Sequence, residues 1–385
     1  MSKIFKDINK LLPKYVPERI PHREAEFNNL LNIFKPVLDD LESYTHAFII
    51  GSSGVGKTML ARYFERHLLR DKKYREKVYI IYTNYRVEKK PGNLIRKLTS
   101  ITIPSMPPRG FSIEEMFIAA LNAAEKEDKR ILMIIDDSDS LFRRDKEFIY
   151  MISRVDEISQ TQNILSLLFI LHSEEPLLNL DPWTAGTLKR NIIRLSEYTY
   201  NELIDILLAR VEEAFVEGSI PFETVETCAD ISSTYNFNAR YAIELLLNGG
   251  KIAEYYGSSE VKPEHIRLAR DKVPPSFSVE DLRHLSIHEK LILYSLSRLL
   301  LYSNKAFVST GELEEEYQAI CNEIGITPIS HTWFWNEIKT LSYFGFISRR
   351  DSGKGYRGRT TLIGLPSFSA KFLEDILGRE VYRRK

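Results

Sequence analysis

The 385-residue sequence predicts an α/β domain on a parallel sheet, then a small all-helical domain, then a three-helix unit with a basic hairpin. Three observations carry this reading. Short apolar runs alternate with helix-period segments through the first half of the chain. The run GSSGVGKT stands between the first of those apolar runs and a helix-period segment. Near the C-terminus, three capped helical segments precede two alternating stretches separated by a glycine-rich basic turn.

The first apolar run, 47–50, ends in a Gly/Ser turn and leads into an amphipathic helix from Lys57 to about Arg70. Further apolar runs at 78–82, 130–135, 164–171 and 191–195 alternate with helical patterns, as in a parallel sheet covered on both faces. This first domain spans 1–196. From Thr199, which forms a capping box with Glu202, helical patterns continue to Lys272 with no strand-like run, defining a helical domain over 197–275. Pro274 and Pro275 mark a linker, and 276–385 form the last domain. There Ser286 with Glu289 caps one helix, and Ser309 with Glu312 caps a second that stops at Gly325. Ser330 caps a third helix ending near Gly345. The segment 344–365 then alternates like the two strands of a winged-helix hairpin.

Hydrophobic residues make up 43% and charged residues 28%, a globular composition. No stretch approaches the roughly 20 apolar residues that cross a bilayer, and the basic N-terminus lacks the apolar segment of a secretory signal. A cytoplasmic, nucleoid-associated protein with no membrane partner is expected. Cys228 and Cys321 are the two cysteines, too far apart and too isolated for a disulfide framework or a zinc site, and read as core residues. Lys plus Arg and Asp plus Glu both total 53, so any nucleic-acid surface must be local.

In GSSGVGKT, residues Gly51, Ser52, Ser53, Gly54, Val55 and Gly56 supply successive backbone N–H groups for phosphate oxygens at a helix N-terminus. Lys57 reaches the terminal phosphates, and Thr58 offers a hydroxyl to Mg2+. A chance glycine-rich turn would not have the strand before it and the helix after it. The apolar run RILMII ends in Asp136 and Asp137, which places a carboxylate at the C-terminal edge of the sheet, where a nucleotide-bound metal can be reached. Asp136 is the metal-side carboxylate. Two Asp residues after a strand form a turn or helix cap elsewhere; beside the phosphate loop they acquire this second role.

The order of phosphate loop, Asp-ended strand, helical lid with ARYAI around Arg240, and winged helix resembles the archaeal origin-recognition and helicase-loading initiators, AAA+ relatives of the eukaryotic origin recognition complex. The resemblance runs from about Tyr15 to Leu365 and includes YVPERIPHREAEFNNL, PPRGFSIEEMF, VKPEHIRLAR, SIHEKLILYSLSRL and STGELEEEYQAICNEIGI. It implies an AAA+ domain that binds ATP or ADP, with Arg240 as the lid arginine that senses phosphate. It also implies that the segment containing Val16, Pro17 and Arg23 borders the adenine. Three places depart from the family pattern. Asp137 stands where relatives carry a Glu that activates water; His172 or Ser173 falls where a polar Asn orients that water; and Trp183, in LDPW, replaces an Arg that acts on a neighbour's nucleotide. Binding parts persist while hydrolysis parts differ, so the chain is at most a slow ATPase, with Asp137 and His172 in the catalytic positions.

The helix beginning near Ser330 is the recognition helix, with His331, Thr332 and Asn336 as groove-facing candidates. Trp333, Phe334 and Trp335 cannot all be buried, and the sequence singles out none as a base contact. Arg349, Arg350, Lys354, Arg357 and Arg359 on the hairpin are candidate phosphate contacts. The resemblance adds a helical insertion near 93–112 that meets the minor groove, with Arg96, Lys97 and Arg109 as its basic residues. The expected function is an origin-binding replication initiator whose partners are double-stranded DNA, the replicative helicase and paralogous initiators. The alternative is a nucleotide-sensing transcription regulator at promoters on the same scaffold.

Overall fold

The computed structural model describes residues 2–39, 44–107, 110–155, 164–189, 191–270, 273, 282, 285–303, 307–344, 346–351, 361–365, 368 and 370–382. Arg109, Lys354, Arg357 and Arg359 lie outside the described residues, as do the linker prolines and the side chain of Arg350. Two compact units divide the chain, Met1–Lys262 and Pro263–Lys385.

The first unit is organised by a five-stranded sheet in the order β2-β3-β4-β1-β5. Its strands are β1 (His46–Ile50), β2 (Val78–Asn84), β3 (Arg130–Asp136), β4 (Leu165–Leu171) and β5 (Asn191–Arg194). All pair in parallel; Phe48 of β1 lies beside Phe169 of β4 on one side and Ile192 of β5 on the other. Side chains alternate between faces, which is why β1 is apolar from Ala47 to Ile50. Ala47 and Ile49 enter a core with Leu30, Phe34, Leu60 and Phe64, from α1 (Glu24–Asp39) and α2 (Lys57–Arg70). Phe48 and Ile50 enter the opposite core, which is filled by α5 (Pro91–Thr102), α6 (Ile113–Lys126), α7 (Asp139–Arg144) and α8 (Lys146–Ser153). Short helices α3 (Lys72–Lys77) and α4 (Tyr85–Glu88) flank β2. Because every strand runs the same way, the C-terminal ends of β1, β3 and β4 come out along one edge, where loops can build a site.

After α9 (Pro182–Leu188) and β5, three helices continue the first unit: α10 (Tyr200–Ala214), α11 (Phe222–Ser233) and α12 (Ala239–Tyr255). The Thr199–Glu202 capping box forms as the sequence predicts. Residues near the N-terminus, grouped by sequence order with the sheet domain, pack on these helices instead. Phe5 bridges to Phe215 with ring centroids 4.9 Å apart, and the Lys6 N–H donates to Ala214 O at 2.9 Å. Gly250 makes this possible: a Cβ there would stand 2.4 Å from Phe5 Cζ.

The second unit contains α13 (Pro263–Arg270), α14 (Ile287–Ser303), α15 (Thr310–Ile324), α16 (His331–Tyr343) and α17 (Ala370–Tyr382). A three-stranded antiparallel sheet, β6-β8-β7, joins β6 (Val308–Ser309), β7 (Ser348–Asp351) and β8 (Thr361–Gly364). Both capping boxes form, and Gly325 ends α15 in the left-handed region at φ 76°. Two details differ from expectation. Ser309 also pairs as part of β6, and Ser330 occupies the N-cap position of α16 without a side-chain cap bond. Cys228 and Cys321 are both fully buried. Among the described residues, no helix is long and apolar enough to cross a membrane.

Candidate functional site

The loop after β1 turns through two left-handed residues, Gly54 at φ 81° and Gly56 at φ 95°, and Gly56 is the N-cap of α2. A residue with a Cβ is strained at either position. Lys57, buried at the first position of α2, folds back so that Nζ donates to Gly51 O and Ser52 O, both at 2.7 Å. Burial pushes its pKa down to about 8, opposed by Asp139, Asp137 and Asp136 and reinforced by the like charge of Arg240. The loop therefore holds a cation at its centre, and a polyphosphate would complete the charge pairing.

Across from the loop, Asp136 ends β3 and is almost completely buried. Its Oδ2 accepts from Thr58 Oγ1 at 2.9 Å and from Tyr82 OH at 2.5 Å. Burial raises its pKa to about 6, with the neighbouring charge of Asp137 adding to the rise and the bonds from Tyr82, Thr58 and the Asp137 N–H opposing it. Two hard oxygens close together at an incompletely compensated buried carboxylate are the donor chemistry that Mg2+ takes, so these residues fit the metal. Asp137 follows in the left-handed region at φ 50°, its carboxylate held by Asn84 Nδ2 at 2.8 Å.

His172 emerges from β4, between the strands that carry the phosphate loop and Asp136. Its backbone N–H donates to Asp139 Oδ1 at 3.0 Å, and its Nδ1 lies 2.9 Å from Asp139 Oδ2. Ser173, the alternative at this place, instead accepts the Glu175 N–H in the following turn.

The lid meets the loop directly. Asn238 caps α12 by accepting the Tyr241 N–H at 3.1 Å, and the Ala239 N–H donates to Gly54 O at 3.3 Å. Gly54 packs so closely on Asn238 that an added Cβ would lie 2.0 Å from its Oδ1. Arg240 comes next, exposed, on the first turn of α12. A second tie runs through Glu197, which accepts from Ser52 Oγ at 3.3 Å and Asn236 Nδ2 at 2.9 Å.

Arg23 is buried with its guanidinium on protein groups: Val55 O at 3.2 Å, Ser196 O at 2.5 Å, Glu26 at 3.1 Å and the Tyr198 ring at 4.1 Å. It braces the phosphate loop against the end of β5. The carbonyls of Val16 and Pro17 accept from Arg66 of α2, which fixes that segment to the helix behind the loop. Trp183 is 58% exposed on the first turn of α9, with the Arg154 guanidinium 5.1 Å from its ring and 4.2 Å from that of Tyr150. Sequence reasoning missed Tyr82, Asn84, Asp139, Glu197 and Asn238. An Asn before a helix is readable as a cap, but that it would also seat on Gly54 has no local signature.

In the second unit, His331, Thr332 and Asn336 are exposed together on α16, while Phe334 is fully buried and Trp335 packs against the core. Trp333 is the outward aromatic of the three, 57% exposed. His331 Nδ1 sits 2.7 Å from Glu314 of α15. Arg349 is exposed on β7, its Nε bonded to Ser342 Oγ at 3.0 Å, and the Arg350 backbone pairs with Leu362. In the first unit, Arg96 is exposed and bonded to Asn93 while Lys97 is half-buried; both lie on α5, whose Leu94, Ile95 and Leu98 enter the core.

A phosphate loop on a parallel sheet, a helical lid seated on that loop and a winged helix define a nucleotide-binding protein of the AAA+ class. Three family models match the chain in order: an AAA domain over 41–177, a Cdc6 AAA+ ATPase-type lid domain over 204–271 and a CDC6 C-terminal winged helix domain over 280–374. The ORC1-type DNA replication protein 2 of Saccharolobus solfataricus is 31% identical, covering 99% of this chain and 95% of the relative. The Aeropyrum pernix ORC1 protein, solved in complex with DNA, matches with TM-score 0.81 and 29% identity over 100% of both chains. Cdc6p from Pyrobaculum aerophilum matches with TM-score 0.62 and 26% identity over 99% of both. The chain belongs to the family of ORC1-type DNA replication proteins. Between the two readings that the sequence offered, these relatives support the replication initiator and not the transcription regulator.

Proposed function

We propose that this initiator binds ATP or ADP with Mg2+ in the loop 51–58 and uses the bound nucleotide to set its lid, while the winged helix holds duplex DNA at origins. In this reading Thr58 and Asp136 would hold the metal, Lys57 and Arg240 would meet the phosphates, and Arg23, Val16 and Pro17 would border the adenine side. The observation that carries it is the seat of Asn238 and Ala239 on Gly54, which joins the phosphate loop to the helix bearing Arg240. Any shift of the loop on taking up phosphate is felt at that helix. Hydrolysis is slow, because Asp137 is one methylene shorter than a Glu and is held by Asn84. On the DNA side, His331, Thr332 and Asn336 face the major groove, and Arg349, Arg350, Lys354, Arg357 and Arg359 hold phosphates. Arg96, Lys97 and Arg109 form a secondary contact. DNA-bound protein then helps recruit the replicative helicase together with paralogous initiators.

Titration calorimetry with Mg-ATP and Mg-ADP, combined with genome-wide mapping of bound sites, tests the reading. Nucleotide binding together with enrichment at origins supports it. Absence of adenine-nucleotide binding, or enrichment confined to promoters, overturns it.

A further inference from the structure

Two side chains of α2, one helical turn apart, reach the ends of two neighbouring strands. Thr58 Oγ1 donates to Asp136 Oδ2 at 2.9 Å, and the Arg62 guanidinium lies 3.2 Å from the centroid of the Tyr82 ring. Tyr82 closes the arrangement. It pairs with Ile134 across β2 and β3, so Asp136 stands two residues further along β3 on the same face, and the Tyr82 hydroxyl donates to Asp136 Oδ2 at 2.5 Å. Burial, above all, raises the pKa of that phenol, so it keeps its proton and acts as a donor. On the other side of the carboxylate, Oδ1 accepts the Asp137 N–H at 3.0 Å. Each carboxylate oxygen has about two lone-pair sites, so Tyr82 and Thr58 fill those of Oδ2 and one on Oδ1 stays open. The Thr58 hydroxyl, its proton committed to Oδ2, keeps its own lone pairs for a cation. Packing does not need the Tyr82 hydroxyl: a phenylalanine would fill the same space and offer the same ring face to Arg62.

We propose that Tyr82, its ring held by Arg62, is a positioning residue for Mg2+, its hydroxyl fixing the Asp136 carboxylate so that Thr58 and Asp136 offer their free lone pairs to the ion. The inference rests on the reading of 51–58 as a Mg-nucleotide site. A carboxylate pinned at both oxygens cannot turn away from the position it must hold, and hydrogen-bonding partners of this kind typically carry about 10–100-fold of metal affinity. Tyr82 acts through Asp136, so its loss should be felt through the metal and not through the nucleotide alone.

The test measures the affinity of the full chain for ATP by titration calorimetry, once in excess Mg2+ and once in EDTA. Wild-type protein should bind more tightly in Mg2+. In Tyr82→Phe that enhancement should shrink by about tenfold, or vanish if it is smaller, while the affinity in EDTA stays within a few-fold. Adding Tyr82→Phe to Asp136→Asn should cause no further loss of the enhancement. An unchanged or larger enhancement in Tyr82→Phe overturns the proposal. So does a fall by the same factor in Mg2+ and in EDTA, which is what loosened packing alone would produce. If Tyr82→Phe does not fold, Arg62→Gln, at a half-buried position, decides on the same criteria, with a smaller loss of the enhancement expected. Wild-type protein that fails to bind ATP, or binds it no better with Mg2+, would sink the Mg-nucleotide reading itself, a result distinct from an enhancement that Tyr82→Phe leaves intact.

Discussion

The nucleotide site and the winged-helix surface are built in opposite ways. Around the phosphate loop the functional groups are buried or braced: Lys57 by two carbonyls, Asp136 by Thr58 and Tyr82, His172 by Asp139, and the lid by Asn238 on Gly54. On the winged helix, Thr332, Asn336 and Arg349 are exposed on a core completed by other residues, Phe334, Ile338 and Leu341 among them. A pre-organised site loses function through small displacements, whereas an exposed surface loses it one contact at a time. Substitutions should therefore act cooperatively and steeply in the first region and additively and shallowly in the second.

The largest effect should come from Lys57→Ala, which removes the cation at the centre of the loop. Charge-assisted bonds contribute about 1.5–3 kcal/mol each, so loss of two phosphate contacts should weaken ATP binding by at least about 100-fold in calorimetry. The nucleotide-dependent rise in melting temperature should vanish with it. Undiminished binding would mean that the loop is not the site.

Gly54→Ala probes the coupling between loop and lid. At φ 81°, with Asn238 Oδ1 2.0 Å from the added Cβ, the loop and the α12 N-terminus must separate. Left-handed strain alone costs about 1–2 kcal/mol, and the lost contact adds to it. Denaturation should show a drop on that scale, and nucleotide should stabilise the variant less than the wild type. Gly218→Ala, also at positive φ but with nothing near its Cβ, is the control: it should show the backbone strain and keep the full nucleotide response.

On the winged helix, Arg349→Ala should weaken duplex binding about equally for all sequences. It should reduce the slope of log affinity against log salt by about 0.9, the contribution of one phosphate contact. Arg357→Ala with Arg359→Ala should reduce it by about twice as much, and a greater-than-additive loss would show that this surface too is a cooperative unit. The smallest effect belongs to Asp137→Glu. It should raise single-turnover hydrolysis only modestly, about two- to fivefold, because groups that act as a catalytic unit respond non-additively and Asn84 holds this carboxylate to one side. An increase of several orders of magnitude would show that reach alone limits turnover.

The order of domains, the phosphate loop, the capping boxes and the pairing of β7 with β8 were legible because each depends on residues close together in the chain. Glycines at left-handed positions, a Ser or Thr three residues before Glu, and alternating apolar residues express their structure locally. The roles of Arg23, Asp139, Glu197 and Asn238 were not legible in this way. Arg23 is a basic residue in a polar segment until the structure places it under Val55 and Ser196. Trp333, Phe334 and Trp335 were equivalent in the sequence, and only packing against the core chose Trp333 as the outward ring.

By itself, then, the sequence determined that this protein holds a nucleotide loop on a parallel sheet, carries a helical lid and ends in a winged helix. Those are short-range consequences of backbone geometry and side-chain periodicity. Tertiary structure alone decided that the N-terminal Phe5 belongs with the lid, that Asn238 rests on the phosphate loop and that a buried Asp139 pairs with His172. Each joins residues far apart in the chain, and a buried polar group takes whichever partner the fold brings within hydrogen-bonding distance, because leaving it unpaired would cost more.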